Sequence, residues 1–396
     1  MYHITHNKYN IPEDRLFCLG KRDNNPKRSF LFISKLLGKH LAVTPDVVKA
    51  TGFMLASLKY GFENNEYLNC IKDGICPNYA KYALDDDVLV IGFCETATAL
   101  GMSVAAAIEG SYYLCTTREP IIGVPELLTF EESHSHASTH HMFSNAISLN
   151  DFSRVILVDD EISTGKSLLH LMEQISAQSN NIQEFSILTI LDWRNEEQKS
   201  KFAEFGEAHG VKVNVYSLVS GYLDIEENIL VYYNAWNDNI DATCAVQNLC
   251  AFPRLSIGTN LGKIDYLTHT GLLGITYKDI CSIEAYAQDA AIKISKDLGT
   301  SARSILVLGH GENIYIPSRV ASALQSLGYE TEFKTTSRTP IYKDGDIIRS
   351  IDRFVIANVE YHFYNKPNAE NKDVVVMLSD TPFDIKLTNN IKIYNL

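Results

Sequence analysis

Residues 155–167 read VILVDDEISTGKS, and the fold is decided there. Val155, Ile156, Leu157 and Val158 form a continuous apolar, mostly β-branched run, as in a short buried strand. Two adjacent carboxylates, Asp159 and Asp160, stand where that strand ends. A small-residue turn through Ile162, Ser163, Thr164 and Gly165 then opens into LLHLMEQI, whose apolar spacing is helical. Neighbouring carboxylates at a strand's carboxyl end can each accept a hydrogen bond from one of the adjacent hydroxyls of a ribose. A Ser-Thr-Gly turn at a helix start offers unpaired backbone N–H groups and a positive dipole end, which suit a phosphate. The segment therefore reads as a cradle for ribose 5-phosphate. Asp159 and Asp160 hold the sugar, and Glu161, Ile162, Ser163, Thr164, Gly165, Lys166 and Ser167 hold the phosphate. The plainer alternative is a strand capped by solvated acids, with Ser163 or Thr164 as an ordinary helix cap. A nucleotide-binding P-loop is excluded, because it needs glycine five residues before Gly165 and Asp160 stands there.

The rest of the chain sets bounds. Its 396 residues suit two to three domains, and 45% hydrophobic with 21% charged residues is ordinary for a globular protein. A net charge of −13 argues against a broad nucleic-acid surface. No early signal-like run and no membrane span appear, so a cytoplasmic protein without a membrane partner is expected. Eight scattered cysteines without a CxxC pair suggest reduced thiols. Strand-like and helix-like runs alternate, the pattern of a parallel α/β sheet. VLVIGF at 88–93 precedes a small-residue helix, and SILTIL at 186–191 a polar one. A first, doubly wound domain is expected over 1–221 and a second α/β domain over 222–396. In the second, strands are expected at 304–308, 330–334, 353–359 and 373–378.

Hydrophobic strand, acidic pair and Thr164–Gly165 loop resemble the signature of type I phosphoribosyltransferases. The resemblance implies that the first strand–turn–helix, GFCETATALG at 92–101, receives pyrophosphate through Glu95, Thr96 and Ala97. It also implies a loop that closes over the reacting ribose to exclude water. FEESHSHASTHH at 130–141 lies where that loop belongs, with His134 or His136 assisting proton transfer or pyrophosphate departure. That stretch is too polar for a core element, and its histidines leave a metal site open as the other reading. Arg118 at a strand's end is a phosphate candidate. So are Arg28 and Lys35, in NPKRSFLFISKLLGKH at 25–40, which reads as an apolar-periodic helix after its basic start.

Over residues 25–341 the set is more specific. NPKRSFLFISKLLGKH, GFCETATALG, TTREP, EESHSHAS, VDDEISTGKS, GHGE and SRTPI resemble two-domain bacterial phosphoribosyltransferase-like proteins of tellurite-resistance and stress gene clusters. Their C-terminal domain is named for a Thr-Arg-Ser-Pro motif. Here Ser337-Arg338-Thr339-Pro340 replaces it, keeping hydroxyl and guanidinium chemistry. The resemblance implies transfer of ribose 5-phosphate from phosphoribosyl diphosphate to a base-like or amine acceptor, with release of pyrophosphate. Magnesium is the implied cofactor, held mainly by substrate and weakly by Asp159 and Asp160. Glu312 and Arg338 would serve the acceptor or the product, and a homodimer is an allowed assembly. The rival class is a non-catalytic sensor of phosphoribosyl diphosphate; a metal-dependent hydrolase on the histidine cluster is a third.

Overall fold

The computed structural model describes residues 2–26, 28–79, 83–85, 87–118, 121–122, 124–131, 139–144, 147–224, 230–236, 243–249, 254–259, 262–300, 302–356, 358–367, 372–381 and 383–396. The chain divides into two compact units that alternate along it. One comprises Met1–Pro12, Lys49–Glu227 and Thr268–Ile280; the other comprises Glu13–Val48, Asn228–Leu267 and Cys281–Leu396.

In the first unit, seven strands form one sheet: β1 (Tyr2–His6), β2 (Val88–Gly92), β3 (Tyr112–Cys115), β4 (Arg154–Ile162), β5 (Glu184–Asp192), β6 (Lys212–Leu223) and β7 (Ile275–Thr276). Their order is β1-β6-β5-β4-β2-β3-β7. The five central strands are parallel, and β1 and β7 close the two edges antiparallel. Val88–Gly92 is buried throughout, as are residues 155–158, as a sheet covered on both faces requires. Helix α1 (Pro45–Tyr60) precedes β2, α2 (Thr98–Ala106) follows it, α3 (Lys166–Gln178) follows β4, and α4 (Glu196–His209) follows β5. Helix α4 is bounded as its sequence dictates, by a capping box between Asn195 and Gln198 and by left-handed Gly210. From β2 the chain builds outward to β3, then returns to the other side of β2 for β4, β5 and β6. The order thus reverses between β2 and β4, and open α/β sheets take ligands at the carboxyl ends of such a pair.

The second unit is also α/β. Its strands β8 (Ser304–Gly309), β9 (Glu330–Thr335), β12 (Val374–Ser379) and β13 (Ile391–Asn395) join Val246–Asn248 in a parallel sheet. The order is Val246–Asn248, β13, β12, β8, β9, so the reversal here lies between β12 and β8. Helix α5 (Tyr277–Leu298) precedes β8 and α6 (Tyr315–Ser326) joins β8 to β9. Strands β10 (Ile351–Ile356) and β11 (Val359–Tyr364) form an antiparallel hairpin. The single buried strand expected at 353–359 is in fact this hairpin's two arms, and most of β10 is only half-buried or exposed.

The run expected as a helix after Arg28 is also different. Phe30–Ser34 is a strand paired antiparallel with Phe17–Lys21. A four-residue apolar run cannot be told from a helical turn by periodicity alone, and the pairing with Phe17–Lys21 decides it. Among the described residues no helix is long and apolar enough to cross a membrane.

Candidate functional site

Strand β4 stays paired with β5 as far as Ile162↔Asp192, but with β2 only to Val158↔Gly92. The amide of Phe93 closes that contact by donating to the Val158 carbonyl at 3.0 Å. Beyond this point β4 has, among the described residues, a strand neighbour on one side alone, and the sheet opens at its reversal. Asp159, Asp160 and Glu161 occupy this opening, half-buried. Asp159 Oδ1 accepts from the Asp160 amide at 2.9 Å, which orients the first carboxylate. Ile162 is buried, so what it can offer a ligand is backbone.

The turn after β4 rests on a shelf. Gly165 has φ +76°, and a Cβ there would lie 2.6 Å from the Phe202 ring and 3.2 Å from Arg194 Cδ. Arg194 stacks on Phe202 at 4.3 Å from the ring centroid. Its Nε and Nη2 donate to the two carboxylate oxygens of Asp192 at 2.9 and 2.8 Å. This bidentate pair holds the guanidinium in a fixed orientation beneath the turn, with its charge met by a carboxylate. Helix α3 starts at Gly165 with no side-chain cap and no acidic residue in its first turn. This helix start therefore carries neither a cap side chain nor a carboxylate that would compete with an anion there. Ser163, Thr164 and Ser167 are half-buried around it and Lys166 is exposed.

The turn after β2 lies at the neighbouring strand end. Glu95 and Ala97 are buried and Thr96 is half-buried. Glycines permit the close packing: a Cβ on Gly101 would fall 2.7 Å from Gly92 Cα. The Cys94 amide donates to Thr116 Oγ1 at 2.9 Å, and the Thr116 amide to Gly92 O at 3.0 Å. His140 Nδ1 lies 3.1 Å from Thr116 Oγ1 and 3.4 Å from Cys94 Sγ. Its ring stacks on Phe130 with centroids 4.8 Å apart.

At its two described ends the stretch 130–141, expected as too polar for a core element, is packed inward. Phe130 and His140 are each 2% exposed, because the hairpin of Glu126–Glu131 and Thr139–Phe143 turns them inward. His141, on the opposite side of its strand, instead pairs with Glu126 at 2.9 Å. His134 and His136 lie outside the described residues.

Arg118 is half-buried and follows Thr117, whose backbone pairs with that of His141 at 2.8 and 2.9 Å. Arg28 and Lys35 belong to the second unit. There the Arg28 guanidinium covers Phe30 at 4.5 Å, and Lys35 Nζ donates to the Asp14 carbonyl at 2.9 Å. Glu312 and Arg338 are half-buried in the same unit, after β8 and β9 respectively. The structure therefore gathers the acidic pair, the 163–167 turn and the 95–97 turn at one sheet reversal. The sequence did not single out Asp192, Arg194 and Phe202, and Thr116 and His140 entered only as members of the quoted stretches TTREP and FEESHSHASTHH. A carboxylate and guanidinium two residues apart at a strand's end were the available signal for the shelf.

Among the described residues no group of three or more His, Cys, Asp or Glu is arranged to hold a metal. The hard carboxylate oxygens of Asp159 and Asp160 nevertheless suit a magnesium ion carried mostly by a ligand's own oxygens.

A family model described as phosphoribosyl transferase matches residues 16–222, and one described as the TRSP domain C-terminal to it matches residues 269–392. No curated protein is significantly similar. Among solved structures, the adenine phosphoribosyl transferase of Trypanosoma brucei is 12% identical, with a TM-score of 0.33 over 52% of this chain and 76% of that one. The Saccharomyces cerevisiae adenine phosphoribosyltransferase is 20% identical, with a TM-score of 0.23 over 34% and 68%. The Mycobacterium tuberculosis orotate phosphoribosyltransferase is 13% identical, with a TM-score of 0.27 over 51% and 89%. The family match spans more than half of the chain and contains both turns of the sheet reversal, and the chain belongs to the phosphoribosyl transferase family with a C-terminal TRSP domain.

Proposed function

We propose that the protein transfers the ribose 5-phosphate of phosphoribosyl diphosphate to a base-like or amine acceptor, releasing pyrophosphate. One observation carries the reading: the Asp159–Asp160 pair and the uncapped Gly165 turn stand at the end of β4, beside the Glu95–Ala97 turn of β2, where the sheet order reverses. The two carboxylates accept hydrogen bonds from the ribose 2- and 3-hydroxyls. As the bond from C1 to pyrophosphate breaks, positive charge grows on the sugar, and the carboxylate of Asp160 stabilises it. Residues 163–167 fix the 5-phosphate, so that C1 is held at a defined distance from the 95–97 turn. That turn and Arg118 take the departing pyrophosphate. Magnesium, when bound, supplies positive charge to the diphosphate oxygens. Glu312 and Arg338 serve the acceptor or the product.

Asp160→Asn tests the assignment, because it keeps shape and removes charge. Pyrophosphate release should fall by roughly two orders of magnitude or more while the melting temperature stays unchanged. Unchanged turnover rejects the role. Tight binding of phosphoribosyl diphosphate with no release for any acceptor would identify a sensor instead.

A further inference from the structure

The second unit carries a polar cluster at its own sheet reversal. Strand β8 has β9 on one side and β12 on the other, and its carboxyl end runs into Gly309, His310, Gly311, Glu312 and Asn313. Thr336, just past β9, sits against this loop: its Oγ1 lies 2.9 Å from His310 Nδ1 and accepts from the Gly311 amide at 3.2 Å. The Thr335 amide donates to the Gly38 carbonyl at 2.8 Å, which brings residues 38–40 alongside. Lys39 is wholly buried there and its Nζ donates to the Gly311 carbonyl at 3.3 Å. Tyr361 and Phe383 wall the other side of His310, with ring centroids 4.4 and 5.1 Å away.

Two features go beyond what packing requires. Asn313 is 7% exposed, and its Nδ2 has no hydrogen-bond partner. Helix α6 starts directly after it with no side-chain cap at Ile314 and no acidic residue in its first turn. A buried amide without a partner costs about 1–3 kcal/mol. A ligand oxygen that accepts from it relieves that cost, and the start of α6 favours a ligand that carries negative charge.

We infer that the second unit holds a separate site for a sugar phosphate, formed by Lys39, His310, Asn313 and Thr336 around the start of α6. The ammonium, the Asn313 amide and the helix N-terminus meet the phosphate oxygens, and half-buried Glu312 accepts from a sugar hydroxyl. Arg338, two residues past Thr336, supplies a second positive charge. The sugar-phosphate identity rests on the transferase reading, whose product carries a 5-phosphate; the existence of an anion site does not.

Equilibrium dialysis of the full-length protein with ribose 5-phosphate, and separately with inorganic phosphate, tests this. Thr164→Glu places a carboxylate in the first unit's phosphate turn and should remove one of two binding equivalents. In that background Lys39→Met and Asn313→Leu should each weaken the remaining equivalent at least about tenfold with an unchanged unfolding transition. Asn313→Leu decides the matter if Lys39→Met does not fold. The inference is overturned if the Thr164→Glu protein binds neither probe, or binds both regardless of Asn313→Leu. Absence of magnesium-dependent phosphoribosyl diphosphate binding by the unaltered protein would instead count against the transferase reading alone.

Discussion

Gly165 shows how narrowly a single position is constrained. Its φ of +76° is left-handed, and the Phe202 ring occupies the space a side chain would need. Gly165→Ala should therefore destabilise the protein by about 1–3 kcal/mol, combining left-handed strain with overpacking. It should also weaken phosphoribosyl diphosphate binding, because the turn must lift off its shelf. A thermal melt with a parallel binding titration checks both, and an alanine variant that melts and binds like the parent would contradict this geometry. The glycine, the hydroxyls and the two acids were legible in sequence because they are contiguous, and a strand–turn–helix uses them locally. Arg194 and Phe202 were not, since they reach the turn from the following loop and helix.

At the level of elements, the hairpin of Glu126–Glu131 and Thr139–Phe143 is tied to the β2 turn through His140, Thr116 and Cys94. His140→Ala removes the imidazole from buried Thr116 and Cys94 and its stacking on Phe130, and should cost about 2 kcal/mol. It should raise the KM for phosphoribosyl diphosphate as the 95–97 turn loosens. His141→Ala, which breaks a partly exposed pair, should change stability by less than about 1 kcal/mol and leave KM alone. Equal effects of the two would refute the tie.

The second unit offers a pH-dependent counterpart. Lys334 on β9 is buried over the Phe363 ring, and Nζ donates to the carbonyls of Tyr364 and Asn365 at 2.6 and 2.9 Å. Burial pulls its pKa from the ordinary 10.5 down to about 7, with Glu332 opposing the shift and Arg349 adding to it. Between these values the unfolded chain keeps a proton that the folded chain has released, so stability rises with pH across that window. Relative to Lys334→Met, the parent protein should gain stability from pH 7.5 to 10 in chemical denaturation. A constant difference would contradict the buried, neutral lysine. No sequence pattern announced it: a lysine in a strand normally reads as solvent-facing.

At the scale of the molecule, the sequence showed two α/β patterns but not how their segments interleave. Residues 13–48 precede the first sheet's central strands in the chain, yet they are built into the second unit. There Val43 and Phe333 exchange backbone hydrogen bonds, both 2.9 Å long. Leu31 and Ile33 pack with Ile341, Ile348 and Tyr364. Such long-range pairing leaves no trace in periodicity. A chain ended after residue 224 would strip cover from Leu31 and Ile33, each worth about 1.5–3 kcal/mol when buried. That fragment should aggregate in sedimentation experiments; a monodisperse, cooperatively folded fragment would contradict the interleaving.

The central claim, a ribose 5-phosphate cradle at the first unit's sheet reversal, is tested most directly by calorimetric titration with phosphoribosyl diphosphate, with and without magnesium. Tight, magnesium-dependent binding that is weakened in Gly165→Ala is the predicted result. Absence of binding in both conditions, by a protein that unfolds cooperatively, would contradict it.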